Sequence, residues 1–263
     1  MKRSILFPLS LSLFTSFAAF AQTAYVDGKT AYDGFVYGRD NSQVIPFKTT
    51  FVMKDAGEAL EIVMDAENPW MAKVKTDGET DVWSCGDCYE LWFDTEAAAK
   101  KVVQLAFGVN GRLWDRRGKP EWTADVVRRA NGWKATVRIP YAALGAKKPA
   151  KGAHWRFNLC RSFNDESGTL VISSWAHVGA TFNRPQKFAD LYFGSEAEVA
   201  AVQRAARVAA LGGLREELRT KGLEKAFGRK LAAAEEGGPE SLVQEIRDEL
   251  RVIDGIAAGT KGN

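Results

Sequence analysis

The chain has 263 residues, 46% hydrophobic and 26% charged, which gives enough length for one or two domains with a buried core and excludes disorder or a collagen-like repeat. A formal charge of +3, from 36 basic and 33 acidic side chains, is too small for a nucleic-acid-binding surface. Eight tryptophans stand out, and rings of that size serve either a β-sheet core or a stacking surface.

In chain order, Lys2 and Arg3 precede an apolar run from Ile5 to Phe20, and Ala19-Phe20-Ala21 supplies the small-x-small pattern of a signal-peptidase site before Gln22. Residues 1–21 are read as a cleaved signal peptide, with an exported mature protein that is periplasmic or extracellular. The run is short for a membrane span, so none is expected after its removal.

Residues 22–194 read as short strands separated by turns. Leu60, Ile62 and Met64 alternate with Glu61, Val63 and Asp65, while Val103, Leu105, Phe107 and Val109 lead to the turn signal Asn110-Gly111. Trp133, Ala135, Val137 and Ile139 alternate with Lys134, Thr136 and Arg138, up to Pro140, which cannot continue the ladder. Trp155, Phe157 and Leu159 follow the same period, and 170–175 and 191–193 close the series. Strands at this spacing, without long helices between them, predict an all-β antiparallel sandwich.

Three cysteines in an exported chain are permitted to form a disulfide, and an odd number leaves one over. Cys85-Gly86-Asp87-Cys88 lacks the histidine of a haem-attachment site and has no second pair to complete a zinc site. A structural bond is expected, either Cys85 to Cys88 or Cys88 to Cys160.

From residue 195 the composition changes. Ser195, followed by Glu196 and Glu198, is an N-cap with acids in the first turn, and the chain to Asp254 lacks tryptophan. Gly212-Gly213 and Gly237-Gly238-Pro239 are read as stops dividing a helical C-terminal extension, 195–263, into about three pieces. Leu242, Ile246, Leu250 and Ile253 form an apolar stripe that packs on neighbouring helices or the sandwich, or else serves a protein partner or self-association through 195–254.

Catalysis is not expected. His154 and His177 are the only histidines, and neither sits in a nucleophile elbow or a zinc-binding helix pattern. No cofactor is predicted. A structural calcium ion would suit such a sandwich, but no Asp-x-Asp-x-Asp loop locates one.

The order of motifs carries more than any one of them. Trp83 leads to Asp87-Cys88-Tyr89-Glu90-Leu91-Trp92-Phe93-Asp94, followed by Phe107-Gly108-Val109-Asn110-Gly111, Gly132-Trp133 with Ile139-Pro140-Tyr141, Trp155-Arg156-Phe157-Asn158-Leu159-Cys160-Arg161, Ser173-Ser174-Trp175, and Phe182-Asn183-Arg184-Pro185-Gln186-Lys187-Phe188. The series, over roughly 24–194, resembles carbohydrate-binding module family 9 and its relatives among DOMON-like β-sandwiches. The resemblance implies noncatalytic binding of a sugar between two aromatic rings. It assigns Trp83 as one ring, Glu90 as the acidic hydrogen-bonding residue and Phe182 as the second ring, where the family has tryptophan. The family's arginine falls near Gly108, which has no side chain. Trp92, Trp133, Trp155 and Trp175 are read as packing, while Trp70, Trp114 and Trp122 are unassigned. A solvated sheet carboxylate is the competing reading of Glu90.

Two other functions compete. One is a structural or interaction module with a decayed pocket, acting through its helical tail. The other is a DOMON-like haem-binding electron-transfer domain, with Met53, Met64 or Met71 and His154 or His177 as ligands.

Overall fold

The protein is described by a computed structural model covering residues 22–38, 43–118, 120–179, 181–237 and 241–259. The expected signal peptide lies outside these described residues. Among the described residues there are thirteen strands: β1 (Thr23–Val26), β2 (Ala31–Tyr32), β3 (Val36–Tyr37), β4 (Thr49–Asp55), β5 (Ala59–Glu67), β6 (Asp87–Asp94), β7 (Val102–Gly108), β8 (Leu113–Asp115), β9 (Thr123–Arg129), β10 (Gly132–Pro140), β11 (His154–Asn164), β12 (Leu170–Ser174) and β13 (Ala189–Phe193). They form two sheets. One runs β1-β13-β11-β6-β7-β8, with β12 beside the far half of β11 and β3 beyond it; the other runs β2-β4-β5-β10-β9. Pairing is antiparallel except between β1 and β13, which run parallel.

The alternation read from the sequence sets the core. Leu60, Ile62 and Met64 on β5 and Trp133, Ala135, Val137 and Ile139 on β10 meet Tyr89, Leu91 and Phe93 on β6 and Trp155, Phe157 and Leu159 on β11 between the sheets. Asn110-Gly111 turns β7 into β8, with Gly111 at φ +84°, a value glycine adopts without strain.

One polar group is built into that core. Arg161 on β11 is fully buried, donating through Nε and Nη2 to the two carboxylate oxygens of Asp87 at 3.0 and 2.7 Å. It also donates to Thr49 Oγ1 at 2.6 Å and to the Glu67 carbonyl at 2.8 Å, both on the opposite sheet. Trp133 and Asn68 donate to Asp87 Oδ2 at 2.9 and 2.8 Å. The cluster joins the two sheets, and its many partners offset the cost of burying two charges.

The C-terminal region is three helices, α1 (Glu196–Thr220), α2 (Glu224–Glu235) and α3 (Ser241–Gly259). Ser195 and Glu198 form a reciprocal capping box at the start of α1. Lys151 and Ser195 hold the Glu198 carboxyl down at about 2. Leu211, Leu214 and Leu218 of α1 pack with Phe227 and Leu231 of α2 and with Ile246 and Leu250 of α3 in a second core. The apolar stripe of α3 is thus turned toward its neighbouring helices. Among the described residues, no helix is long and apolar enough to cross a membrane.

The helix boundaries correct one expectation. Gly212-Gly213 does not stop a helix, because burial of Leu211, Leu214 and Leu218 on the same element offsets a cost of about 1 kcal/mol per glycine. The chain stops at Gly222, φ +70°, where Leu223 N–H reaches the Leu218 carbonyl at 2.7 Å and Gly222 N–H the Arg219 carbonyl at 3.0 Å. That pair of bonds, with Leu223 packed on the same cluster as Leu218, is a Schellman cap.

Candidate functional site

Strand β6 is buried along its whole length, so both of its faces are covered. Tyr89, Leu91 and Phe93 face the opposite sheet, which turns Cys88, Glu90 and Trp92 outward. The outward face is roofed by the segment after β12. Val178 and Phe188 are buried there against Trp92 and Cys160, and Phe182 packs on the same cluster. Asn158 on β11 fastens this segment, accepting from Ala176 N–H at 2.8 Å and donating to the Ala176 carbonyl at 3.1 Å.

Beside the roof an open cleft of about 360 Å³ is lined by Trp83, Glu90, Trp92, Ser162, Leu170, Ile172, Thr181, Phe182 and Asn183. Its volume is in the range of small-molecule sites. The structure brings Trp83, Glu90 and Phe182, the three residues assigned by resemblance, to this one cleft. Three other depressions, of about 220, 260 and 270 Å³, are smaller, and none of these combines several rings with a buried carboxylate.

Trp83 is 41% exposed yet firmly held. Asp81 Oδ1 accepts from the N–H groups of Trp83 and Ser84 at 2.9 and 3.0 Å, and Asp77 Oδ1 accepts from Thr80 N–H at 2.8 Å. Asn110 donates to the Thr80 carbonyl at 2.6 Å, tying this loop to the β7–β8 turn. Trp114 on β8 meets Trp83 edge-on, with centroids 5.1 Å apart and planes at 68°. A ring fixed from below and from one edge can stack without first losing rotamer freedom.

Glu90 is 8% exposed. The Trp83 indole N–H donates to its Oε1 at 3.3 Å and Gln104 Nε2 donates to its Oε2 at 2.7 Å. Burial raises its carboxyl above the usual range, against the opposing effect of the Gln104, Trp83 and Trp92 N–H groups. The reading of Glu90 as a solvated carboxylate is therefore replaced by that of a buried acceptor. Its remaining lone pairs can take a hydroxyl or an ammonium donor.

Trp92, read as packing, is buried on the outer face of the sheet, with Phe188 at 6.3 Å, and also lines the cleft. Trp133, Trp155 and Trp175 do belong to the inter-sheet core. The motif order does not single out Gln104 or Trp114; Gln104 reaches the site through its outward register on β7, directly opposite Trp92.

Gly108 lies on the same outward face, opposite Cys88. A Cβ there would come within 2.5 Å of Asn110 Oδ1 and 2.7 Å of Cys85 Sγ, so the turn and the Trp83 loop fill the place of the family's arginine. Cys85, Cys88 and Cys160 are buried thiols, and the expected disulfide is not formed. Cys85 Sγ is directed to the Val82 and Asp87 carbonyls, at 3.0 and 3.2 Å. Cys160 pairs with Glu90 and Cys88 with Ser162, so these two cysteines are diagonal neighbours, a spacing too wide for a disulfide.

The residues considered for haem do not converge on this cleft. Met53 and Met64 are fully buried in the core, and Met71 packs against its edge. His154 bonds Asp190 at 2.8 Å and stacks on Tyr192. His177 has a pKa lowered by burial and by Lys187 and Arg184. Among the described residues no three His, Cys, Asp or Glu side chains gather as metal ligands.

No family model and no curated protein sequence matches the chain. Solved structures do. A carbohydrate-binding module family 9 from Caldicellulosiruptor kristjanssonii in complex with cellotriose superposes with a TM-score of 0.50 at 16% identity, over 66% of this chain and 95% of that one. The chain has a family 9 carbohydrate-binding-module-like fold. The glucose complex of a family 9 module from the same organism gives a TM-score of 0.49 at 17% identity, over 66% of this chain and 97% of that one. The family 9-like sandwich is followed here by the three helices α1–α3.

Proposed function

We propose that the protein is a noncatalytic glycan-binding protein that holds a sugar in the cleft of Trp83, Glu90 and Phe182. The observation carrying this reading is the convergence of a rigid, 41%-exposed indole and a buried, hydrogen-bonded carboxylate on one open cleft. A pyranose presents an apolar C–H face that packs on a flat ring and edge hydroxyls that donate to a carboxylate. Similarity in fold to a family 9 module solved with cellotriose supports the same class of ligand. Phe182 offers a smaller ring than tryptophan, and Trp92 adds apolar surface beneath the cleft.

The protein works as an exported one in this reading, with 1–21 as its leader. Burial raises the Cys88 and Cys160 thiols well above their usual range, which keeps them protonated and unreactive in an oxidising compartment.

A glycan array on the mature protein, followed by calorimetry of each hit, tests the proposal. Trp83→Ala is expected to weaken binding about thirtyfold or more, as for a central aromatic anchor, while stability falls by about 1–3 kcal/mol because the ring is part-buried and donates to the Glu90 carboxylate. Silence of the wild type across the array, or undiminished binding by Trp83→Ala, contradicts it.

A further inference from the structure

We propose that the cleft is built for a cationic sugar, a 2-amino-2-deoxy glycan with a free ammonium, in preference to a neutral or acidic one. The inference rests on the glycan-binding reading and specifies its ligand. Among the described residues lining the cleft, Glu90 is the sole ionisable side chain, and none is a lysine or arginine. Both of its oxygens accept from neutral groups, Trp83 Nε1 and Gln104 Nε2, so the negative charge is held in place but not neutralised. The elevated carboxyl pKa has the same origin, a buried charge without a cationic partner.

Around this charge stand the rings of Trp83, Trp92 and Phe182. Aromatic faces beside a carboxylate attract an ammonium through the ring quadrupole as well as through Coulomb attraction, and each effect gains from desolvation. The one position where the resemblance would set an arginine is closed, because any side chain at Gly108 collides with Asn110 and Cys85. A uronate would bring its carboxylate toward Glu90 with no positive group among the described residues that line the cleft. A neutral hydroxyl donates to Glu90 more weakly than an ammonium does.

Three disaccharides that differ at C2 test this: a β-1,4-linked glucosamine disaccharide, its N-acetylated form and cellobiose. Calorimetry on the wild type is expected to give the free amine at least about tenfold tighter binding than either counterpart, the gain of a charge-assisted hydrogen bond. In Glu90→Gln that preference should disappear, the amine falling to the level of cellobiose. Equal affinities for the three, or an amine preference that persists in Glu90→Gln, overturns the inference while leaving glycan binding intact. Should Glu90→Gln not fold, the wild-type comparison of amine with acetamide decides alone. Failure of all three and of the whole glycan array sinks the glycan-binding reading itself.

Discussion

Arg161 and Asp87 carry the highest electrostatic stakes in the sandwich, because both side chains are fully buried and each satisfies several groups at once. Arg161→Met is expected to cost about 3–5 kcal/mol in urea denaturation, since it leaves the Asp87 charge buried with only Asn68 and Trp133 as donors. The double variant Arg161→Met with Asp87→Asn should recover part of that loss by removing the stranded charge; no recovery would mean the pair acts through packing alone. At the same scale, the resemblance in motif order proposes Trp83, Glu90 and Phe182 as ligand contacts, and the structure places the three beside one cleft. Trp92 is not among them. Alternation predicts which face a residue takes, but only the roof over β6 determines that its outward face is apolar too. The disulfide expectation failed because it rested on compartment and spacing along the chain, while strand register set Cys88 and Cys160 diagonally apart.

Among elements, the helices show how local signals compete with packing. A Gly-Gly pair is a strong stop signal in sequence, yet α1 continues through Gly212-Gly213 because its leucines are committed to the second core. A Cβ at Gly212 meets nothing within 4 Å, so Gly212→Ala is expected to raise the stability of the helical region by about 1 kcal/mol, read by circular dichroism on thermal unfolding. Gly222→Ala should act in the opposite direction, because its φ of +70° is costly for a residue with a side chain. Both variants shifting the transition the same way would contradict these assignments. The strands were easier to read. Two-residue alternation in β5, β10 and β11 survives in the structure because each of these strands has one face fixed by the inter-sheet core. The parallel pairing of β1 with β13 had no such signature, since it joins the two ends of the sandwich sequence.

For the whole molecule, two hydrophobic cores are joined through α1, whose 25 residues span about 37 Å. Val199 is buried in its first turn, and Leu211 begins the helical core, with no buried residue between them. A helix with no buried residue over such a stretch suits a spacer between two packed cores. The cleft lies on the outer face of the larger sheet, where the Trp83 loop, β6, β12 and the roof segment meet. The eight tryptophans therefore divide by surroundings: Trp122, Trp133, Trp155 and Trp175 are inter-sheet core, Trp70 and Trp114 pack part-buried against that core, and Trp83 and Trp92 line the cleft. The indole N–H resonances of these residues report directly on the central claim, that the cleft holds a sugar. In a heteronuclear NMR titration with the glucosamine disaccharide or cellobiose, the Trp83 and Trp92 indole signals are expected to shift in saturable fashion while those of Trp122, Trp133, Trp155 and Trp175 stay in place. Unmoved Trp83 and Trp92 signals at saturating sugar, or shifts confined to the core tryptophans, would contradict it.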